Sequence, residues 1–334
     1  MLHNLPQRVC PRLAAPFAGT SKRVRPPIAS LSRAPKTAVV IVNWNGADDT
    51  LGCLESLRHS TVPVHAMVVD NGSSDSSADR IERSGLANTL LHMPTNLGYA
   101  EGNNVGLRHA IRQGFDVVIV LNNDTVVEVD ALSLLLNQLP IGLPRAVSPE
   151  IRYLNRPSET WFGGAVVERG WPRYLQPGEL TPSVGPRGSE WLSGCCIAAR
   201  SETWERTGLF NPSYFLIFED SEWSLRARQQ GIDLLVVTES VVFHKVSASL
   251  SSGPTSLLGS FYFARNGLRL DSAYFRRYVP RFVMQWLMRP TLSAIAHRRD
   301  RRDVLFRWLG ALAFVCQIKG RAPRIVERLA ARLI

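Results

Sequence analysis

Residues 116–124 read Asp-Val-Val-Ile-Val-Leu-Asn-Asn-Asp, five consecutive apolar residues followed at once by three polar ones. A short, uniformly apolar run rich in β-branched residues is typical of a strand buried on both faces. Similar runs occur at 38–42, which precedes Asn43–Asn45, and at 64–69, which precedes the turn-forming segment Asp70–Asp75. The sequence therefore predicts several buried strands, each of which ends in a polar cluster.

Helical patterns separate these strands along the chain. We predict helices over 48–60, 76–84 and 103–113, and a further short strand over 89–92. Strands that alternate with helices form βαβ units and a parallel sheet. We therefore predict an α/β fold, with a mainly parallel twisted sheet flanked by helices. The polar clusters then lie at the carboxyl ends of the strands, where such sheets bind their ligands.

The common phosphate-binding motifs are absent from the sequence. There is no GxxxxGK[ST] segment, and Gly98, Gly102 and Gly106 follow one another at a spacing of four rather than as GxGxxG. These facts exclude a P-loop NTPase and a dinucleotide-binding fingerprint. An anion at this edge of the sheet needs another device to hold it, and a metal ion is the first candidate.

The segment Asn122-Asn-Asp124 directly follows the predicted strand at 116–121. A carboxylate with amide oxygens beside it offers the hard oxygen ligands that suit Mg²⁺ or Mn²⁺. In the alternative interpretation, Asp124 only caps a helix that starts near Val129. The residues alone leave both interpretations open.

Two adjacent acids, Glu219 and Asp220, follow an aromatic-rich run and open a predicted helix that ends near Gly231. Asp220 is a candidate general base that takes a proton from an incoming hydroxyl, or an N-terminal cap of that helix. His244 follows another predicted strand and is a candidate metal ligand or a structural histidine. The residues alone do not decide between these roles.

Taken together, these motifs resemble the family-2 glycosyltransferases of GT-A fold, in the branch that contains bacterial rhamnosyltransferases and related cell-envelope enzymes. The resemblance extends from about Thr37 to Asn266. It rests on segments that follow one another in the family's order: Val-Val-Ile-Val-Asn-Trp-Asn at 39–45, Val-Val-Asp-Asn-Gly-Ser-Ser-Asp at 68–75, Asn-Leu-Gly-Tyr-Ala-Glu-Gly-Asn-Asn-Val-Gly at 96–106, Leu-Asn-Asn-Asp-Thr at 121–125, Trp-Leu-Ser-Gly at 191–194, Phe-Glu-Asp at 218–220, His244 and Tyr-Phe-Ala-Arg-Asn at 262–266.

The resemblance implies a role for each matching residue. Asn122, Asp124 and His244 would bind the metal ion, Mg²⁺ or Mn²⁺, and Asp220 would be the catalytic base with Glu219 in support. The nucleotide site would comprise Asn43, Asp70, Asn71, Ser73, Asn96, Gly98 and Asn123. The residues beside the acceptor or the sugar would be Trp191, Gly194, Arg265 and Asn266. Asn122 stands where the family's DXD motif begins with Asp, which removes one charged ligand.

The function that the resemblance implies is inverting transfer of a sugar from a nucleotide donor to a hydroxyl of a cell-envelope glycan or a lipid-linked acceptor. Rhamnose on dTDP is the first expectation for the donor, and a UDP-linked hexose is the alternative. A different class of protein, a catalytically inactive sugar-nucleotide binder of the same fold, also fits the nucleotide motifs. Asp124, Asp220 and His244 are all present, which favours the enzyme.

Charge is distributed unevenly along the chain, whose net charge is +11. Residues 1–36 carry +7 and residues 260–334 carry +12, which leaves −8 between them. A dedicated nucleic-acid binder carries its positive charge on the folded surface that does the reading, so we expect no nucleic-acid partner. Basic ends of this kind attract anionic lipid, or act only as solubilising tails.

The C-terminal segment is predicted to form basic amphipathic helices over 275–288 and 304–318. Trp286, Trp308, Phe282 and Phe314 would lie on a membrane surface, or pack on the catalytic domain. The predicted domains are a disordered basic tail (1–36), a GT-A catalytic domain (37–266) with a nucleotide-binding half (37–130) and an acceptor half (131–266), and the basic helical segment (267–334).

The composition and the spacing of the cysteines exclude several classes of protein. Hydrophobic residues make up 45% and charged residues 20% of the chain, which excludes a disordered protein. The sequence has no apolar run of the roughly 18–20 residues that a membrane span needs, and no secretory signal. The five cysteines form no CxxC pair, which fits a reducing compartment. We therefore expect a cytoplasmic protein, at most peripheral on the inner face of the cell membrane.

Overall fold

The computed structural model describes residues 34–168, 171–180, 185–246, 254–297 and 301–333. From Pro35 onward the chain forms one compact unit. Almost all of the predicted disordered tail lies outside the described residues.

Twelve strands are formed by the described residues. In chain order they are β1 (Thr37–Asn43), β2 (His65–Asp70), β3 (Thr89–His92), β4 (Val117–Asn122), β5 (Thr125–Val127), β6 (Arg145–Tyr153), β7 (Arg156–Phe162), β8 (Ala165–Glu168), β9 (Trp171–Tyr174), β10 (Arg187–Gly188), β11 (Cys196–Arg200) and β12 (Asp233–His244).

Eleven α-helices accompany them in the described part of the chain. They are α1 (Ala47–Arg58), α2 (Ser77–Ser84), α3 (Gly98–Arg112), α4 (Ala131–Leu136), α5 (Ser201–Thr207), α6 (Glu219–Gln229), α7 (Pro254–Tyr274), α8 (Val279–Phe282), α9 (Arg289–His297), α10 (Arg301–Val315) and α11 (Arg324–Arg332). A π-helical turn, Val283–Met288, joins α8 to α9.

One large mixed sheet organises the molecule, with the strand order β10-β12-β6-β11-β4-β1-β2-β3. The pairs β4–β1, β1–β2, β2–β3 and β6–β12 are parallel, whereas β11 runs antiparallel to both β4 and β6. The short strand β5 pairs antiparallel with β12. The predicted fold class, a mainly parallel sheet flanked by helices, is confirmed.

The packing of strand β1 explains why its apolar residues do not alternate with polar ones. Val39 and Ile41 pack on one side of the sheet with residues of α1 such as Leu54. Val40 packs on the other side with residues of α3 such as Leu107. A strand covered on both faces buries every side chain, which accounts for the uniform run.

Helix α3 begins at Gly98, five residues before the predicted start at 103. Gly102 and Gly106 let this helix approach the sheet closely. A Cβ atom added at Gly106 would lie 2.3 Å from a methyl carbon of Val40. The four-residue spacing of the glycines therefore serves helix–sheet packing, because residues four apart share one helix face.

The C-terminal helices differ in detail from the prediction. The predicted helix over 275–288 is a 3₁₀ turn, the short helix α8 and the π-helical turn in succession. The predicted domain boundary between 266 and 267 lies inside the continuous helix α7. No helix among the described residues is long and apolar enough to cross a membrane.

Candidate active site

The carboxyl ends of β4, β1 and β2 meet at one edge of the sheet. The strand register pairs Val42 with Asn122, and Asn43 with Asp70. Strand β11 runs antiparallel beside β4, and the Asn122 backbone N–H donates to the Cys195 carbonyl at 2.8 Å. Residues that lie far apart in the sequence therefore share this edge.

Asn43 lies at the centre of a buried polar network. Its side chain is fully buried. Its Nδ2 donates to Asp70 Oδ1 at 2.8 Å and to Ser73 Oγ at 3.1 Å, and its Oδ1 accepts from Thr50 Oγ1 at 2.8 Å. Ser73 Oγ in turn donates to Asp70 at 2.6 Å. Both ends of the Asn43 amide are used internally, so the residue shapes the loop after β2 and presents no group to a ligand.

Asn71 and Asn96 tie the next loop to the start of α3. Asn71 is buried, and its Nδ2 donates to the Gly98 carbonyl at 3.1 Å and to Asn96 Oδ1 at 3.2 Å. Gly98 has a φ of +83°, and a Cβ atom there would lie 2.5 Å from Phe215. Asn123 Nδ2 donates to Thr50 Oγ1 at 3.1 Å, which fixes the turn after β4 against α1. These residues build the rim of the predicted nucleotide site.

Asp124, His244 and Asn122 converge at the same edge. Asp124 lies in the turn between β4 and β5 rather than at a helix start, so the capping alternative is wrong. His244 ends β12 opposite Thr125, which brings its Nε2 within 3.0 Å of Asp124 Oδ1. Asn122 Nδ2 lies 3.4 Å from the same Nε2. The Asp124 and His244 side chains are 11% and 8% exposed, so this pair is well shielded from bulk water.

This donor set fits a divalent ion that also binds phosphate and water. Two ligands at about 2.1 Å from one ion and at right angles to each other lie about 3.0 Å apart, which matches the Asp124–His244 separation. Nδ1 of His244 is buried without a partner, so only the Nε2 side anchors the ring. Within the described ranges, no three His, Cys, Asp or Glu side chains cluster as a metal site. The chain thus offers one carboxylate, one imidazole and an amide, and leaves positions for ligands from a substrate.

Asp220 lies in the first turn of α6, as predicted. Its Oδ2 accepts the Gly194 backbone N–H at 2.8 Å, and its Oδ1 accepts the Ser221 N–H at 2.6 Å. A Cβ atom at Gly194 would lie 3.3 Å from that of Asp220, so glycine gives the backbone room beside the acid. Gly194, predicted beside the acceptor, acts on Asp220 through its backbone.

The two neighbouring acids differ in their hydrogen bonding. Burial, followed by the charge of Asp220, raises the pKa of Glu219 to about 8, and Glu219 Oε2 has no partner. Burial also raises the pKa of Asp220, but the N–H groups of Gly194 and Ser221 oppose that shift. Hydrogen bonds to a carboxylate favour its ionised form. Glu219 therefore holds its proton more firmly than Asp220 near neutral pH, and Asp220 is the better base.

The loop that precedes α6 adopts an unusual backbone. Phe215, Ile217 and Phe218 have φ values of +63°, +70° and +71°. Non-glycine residues with positive φ cost of order 1 kcal/mol each and tend to occur at functional sites. Nothing in this apolar sequence signals such a conformation, and sequence reasoning missed it.

Arg265 and Asn266 hold that loop in place and do not face an acceptor. Both side chains are completely buried. Asn266 Nδ2 lies within 3.0 Å of the carbonyl oxygens of residues 214, 216 and 217. The Arg265 guanidinium donates to the carbonyls of Tyr214 at 3.1 Å and Gly320 at 2.6 Å. The contact with acceptor or sugar that the resemblance implies is therefore corrected to a supporting role, because neither side chain reaches the surface.

Trp191 is also more interior than predicted. It is 6% exposed and stacks on Tyr174 with a centroid separation of 5.1 Å. The more exposed Trp161 packs edge-on against His244 at 4.8 Å and against Tyr174 at 5.2 Å. Trp161 thus contacts one of the metal-binding candidates, and the sequence analysis did not single it out.

Tyr99 connects the two halves of the site. Its hydroxyl lies 2.9 Å from Asn122 Oδ1 and 2.7 Å from the carbonyl of Gly194, whose N–H binds Asp220. The segment 96–106 was recognised in the sequence, but its tyrosine was not singled out. Only the packing of α3 under the sheet edge brings this phenol between Asn122 and Gly194.

The chain is similar in sequence to known glycosyltransferases. Residues 38–180 match the family described as Glycosyl transferase family 2. A curated relative, the low-salt glycan biosynthesis hexosyltransferase Agl10 of Haloferax volcanii, is 26% identical over 209 residues. That match covers 59% of this chain and 63% of the relative, so the chain spans less than two thirds of it.

Two solved structures share the fold. GalNAc-T7, solved with UDP, GalNAc and Mn²⁺, has a TM-score of 0.61 and 19% identity, over 85% of this chain and 56% of that one. The mannosyltransferase PcManGT of Pyrobaculum calidifontis, solved with GDP-Man and Mn²⁺, has a TM-score of 0.54 and 17% identity, over 90% and 87%. The fold is therefore GT-A-like, and within it residues 38–180 are similar to Glycosyl transferase family 2.

Proposed function

We propose that this protein transfers a sugar from a nucleoside diphosphate donor to a hydroxyl group, with inversion at the anomeric carbon. The observation that carries the proposal is the position of Asp220. Its carboxylate is joined through Gly194 and Tyr99 to Asn122, which lies beside Asp124 and His244. A base and a candidate diphosphate-binding group therefore belong to one connected site.

Each residue has a defined task in this mechanism. Asp220 accepts the proton of the acceptor hydroxyl as its oxygen forms a bond to the anomeric carbon, and the bond to the diphosphate breaks. Glu219, which stays protonated, adds no second negative charge beside the base. Asp124, His244 and Asn122 would hold a divalent ion, Mg²⁺ or Mn²⁺. When bound, the ion neutralises charge on the departing diphosphate.

The nucleotide lies, in this proposal, over the loop after β2. Asp70 and Ser73 are fixed there by Asn43, and Asn71 and Asn96 shape the neighbouring rim. A supported side chain costs less entropy to use in binding than a mobile one. The buried asparagines therefore contribute by holding the loop in one conformation.

We propose a nucleotide-linked hexose as the donor, with dTDP-rhamnose as the second candidate. The curated relative is named as a hexosyltransferase, and GalNAc-T7 was solved with UDP. These names favour the UDP-hexose alternative over rhamnose. The acceptor we propose is a cell-envelope glycan or a lipid-linked sugar.

Calorimetric titration with UDP, dTDP and GDP, with and without Mn²⁺, tests the donor site. We expect one nucleotide to bind at least about tenfold more tightly with Mn²⁺, and Asp124→Ala to abolish that gain, since removal of one charged ligand weakens a hard-cation site strongly. Asp233→Asn, a change to a mostly exposed carboxylate on β12, is the control. If a nucleotide bound tightly and its affinity changed neither with Mn²⁺ nor in Asp124→Ala, the metal role would be refuted. If no nucleotide bound, the proposed function would be refuted.

We further propose that the C-terminal helices contact an anionic membrane. The apolar stripe, as we call it, comprises exposed side chains of α9 and α10: Leu292, Ile295, Leu305, Trp308, Leu312 and Val315. Those on α10 recur at intervals of three and four, so they share one helix face. Trp308 Nε1 donates to Thr291 Oγ1 at 2.9 Å, which joins the two helices.

Charge favours a lipid surface as the occupant of this stripe. Exposed arginines lie on these two helices at 289, 301 and 302, and on α8 at 281, within a segment whose net charge is +12. Anionic lipid attracts such residues by about 1 kcal/mol each. The alternative prediction was that the aromatic residues of this segment pack on the catalytic domain. Phe282 and Trp286 do so, against Trp171.

Vesicle flotation tests this contact. We expect binding to vesicles that contain phosphatidylglycerol, and a loss of about tenfold in partitioning for Leu312→Glu, because burial of one leucine is worth about 1.5–3 kcal/mol. The matched control is Ile141→Glu, whose side chain is 72% exposed outside these helices. Equal loss in both variants, or equal binding to neutral phosphatidylcholine vesicles, would contradict the proposal.

A further inference from the structure

The hydroxyl of Tyr99 faces two oxygen atoms but has a single proton. Its Oη lies 2.9 Å from Asn122 Oδ1 and 2.7 Å from the Gly194 carbonyl oxygen. One proton cannot serve two acceptors. One of the two oxygen pairs is then left without a hydrogen between its atoms.

The other end of the Asn122 amide has a matching problem. Its Nδ2 lies 3.4 Å from His244 Nε2, which itself lies 3.0 Å from Asp124 Oδ1. Nε2 has a single lone pair, which is used either by a proton shared with Asp124 or by the proposed metal ion. The same Nε2 then cannot accept a hydrogen from the Asn122 amide. With its oxygen toward Tyr99, the amide is mismatched at both ends.

A rotation of the Asn122 amide by 180° removes both conflicts, because the oxygen and the nitrogen exchange places. Asn122 Nδ2 then donates to Tyr99 Oη, and Tyr99 donates to the Gly194 carbonyl. We infer that Tyr99 is a positioning residue, which holds the Asn122 amide with its oxygen directed toward Asp124 and His244. Asn122 is thereby presented as an oxygen ligand. The inference rests on the proposed function, in which Asn122 helps to hold a metal ion.

The need for Tyr99 follows from the presence of asparagine at position 122. A carboxylate has two equivalent oxygens and presents one of them in either orientation. An amide has one oxygen and one N–H₂ group, and the wrong orientation would point hydrogens at a cation. The hydroxyl of Tyr99 therefore matters for metal binding only as long as residue 122 is Asn.

A double-mutant cycle on the full chain tests this dependence. Mn²⁺ affinity is measured by electron paramagnetic resonance of free Mn²⁺, in the presence of the nucleotide that binds best, for wild type, Tyr99→Phe, Asn122→Asp and the double variant. We expect Tyr99→Phe to weaken Mn²⁺ binding about tenfold when residue 122 is the native Asn, as is usual when a group that orients a metal ligand is lost. In the Asn122→Asp background the same change should cost less than about twofold, since no orientation is required.

The cycle separates this role from a structural one. Tyr99→Phe removes the bond to Gly194 in both backgrounds, so a purely structural effect would be equal in both and would overturn the inference. Unchanged Mn²⁺ affinity in Tyr99→Phe would overturn it as well. Failure of the proposed function gives a different result, because wild type and Asn122→Asp would then both bind no Mn²⁺. Each variant must melt within a few degrees of wild type. If Tyr99→Phe melts lower than that, Tyr99→Met takes its place in both backgrounds.

Discussion

Asp220→Asn is expected to lower the turnover number by about 10²–10⁴-fold, which is the usual contribution of a positioned general base. The amide keeps the shape of the side chain, and its oxygen can still accept the N–H of Gly194 or Ser221. It cannot take the proton of the acceptor hydroxyl. Affinity for the nucleotide should therefore stay close to that of wild type, as measured by calorimetry beside a sugar-transfer assay.

The control for this prediction is Glu219→Gln. Glu219 is protonated near neutral pH, so its neutral isostere should keep most of the activity at pH 7. If Asp220→Asn lost nucleotide affinity in step with turnover, Asp220 would belong to the donor site. If turnover survived in Asp220→Asn, another group would have to be the base.

Asn266→Ala is expected to lower the free energy of unfolding by roughly 3 kcal/mol, since each buried carbonyl left without a donor costs about 1–3 kcal/mol. The carbonyls concerned belong to the loop whose residues 215, 217 and 218 have positive φ. Without Asn266 the loop loses the contacts that hold this conformation. Turnover should fall as well, because α6 and Asp220 directly follow the loop. Urea unfolding and the transfer assay measure the two effects.

Asn137→Ala provides the comparison, because Asn137 is an exposed residue just after α4. It should change stability by less than about 0.5 kcal/mol. A stability loss without a loss of turnover in Asn266→Ala would show that the loop does not position the base. No stability loss would show that water replaces the amide.

The fold was predictable because its strands carry a strong local pattern. Residues 117–121 and 38–41 are buried on both faces, and the polar residues that follow these strands do lie at one edge of the sheet. The start of α3 was predicted too late, at residue 103, which left Gly98 and Gly102 outside the helix. Gly98 lies close to Phe215 and Gly102 lies close to Val42 of β1, and local propensity does not encode such contacts.

The site was predictable as a set of segments but not always in the role of each side chain. Asp124 and His244 meet at the edge of the sheet, and Asp220 lies in the first turn of α6, while their roles stay predictions. Asn43, Arg265 and Asn266 occur in equally recognisable motifs, yet they are buried behind the surface and hold loops in place. A sequence motif records that a residue is needed, whereas the direction of its side chain depends on packing between distant segments.

The contact at Gly320 has a practical consequence for protein engineering. The Gly320 carbonyl accepts from Arg265, and its N–H donates to the Ser213 carbonyl at 2.9 Å. The stretch that follows α10 therefore buttresses the loop before α6, over a hundred residues earlier in the chain. The C-terminal helices are not a detachable anchor. A truncated enzyme, or a chimera that exchanges these helices for those of a relative, must keep this backbone junction or lose the alignment of its base.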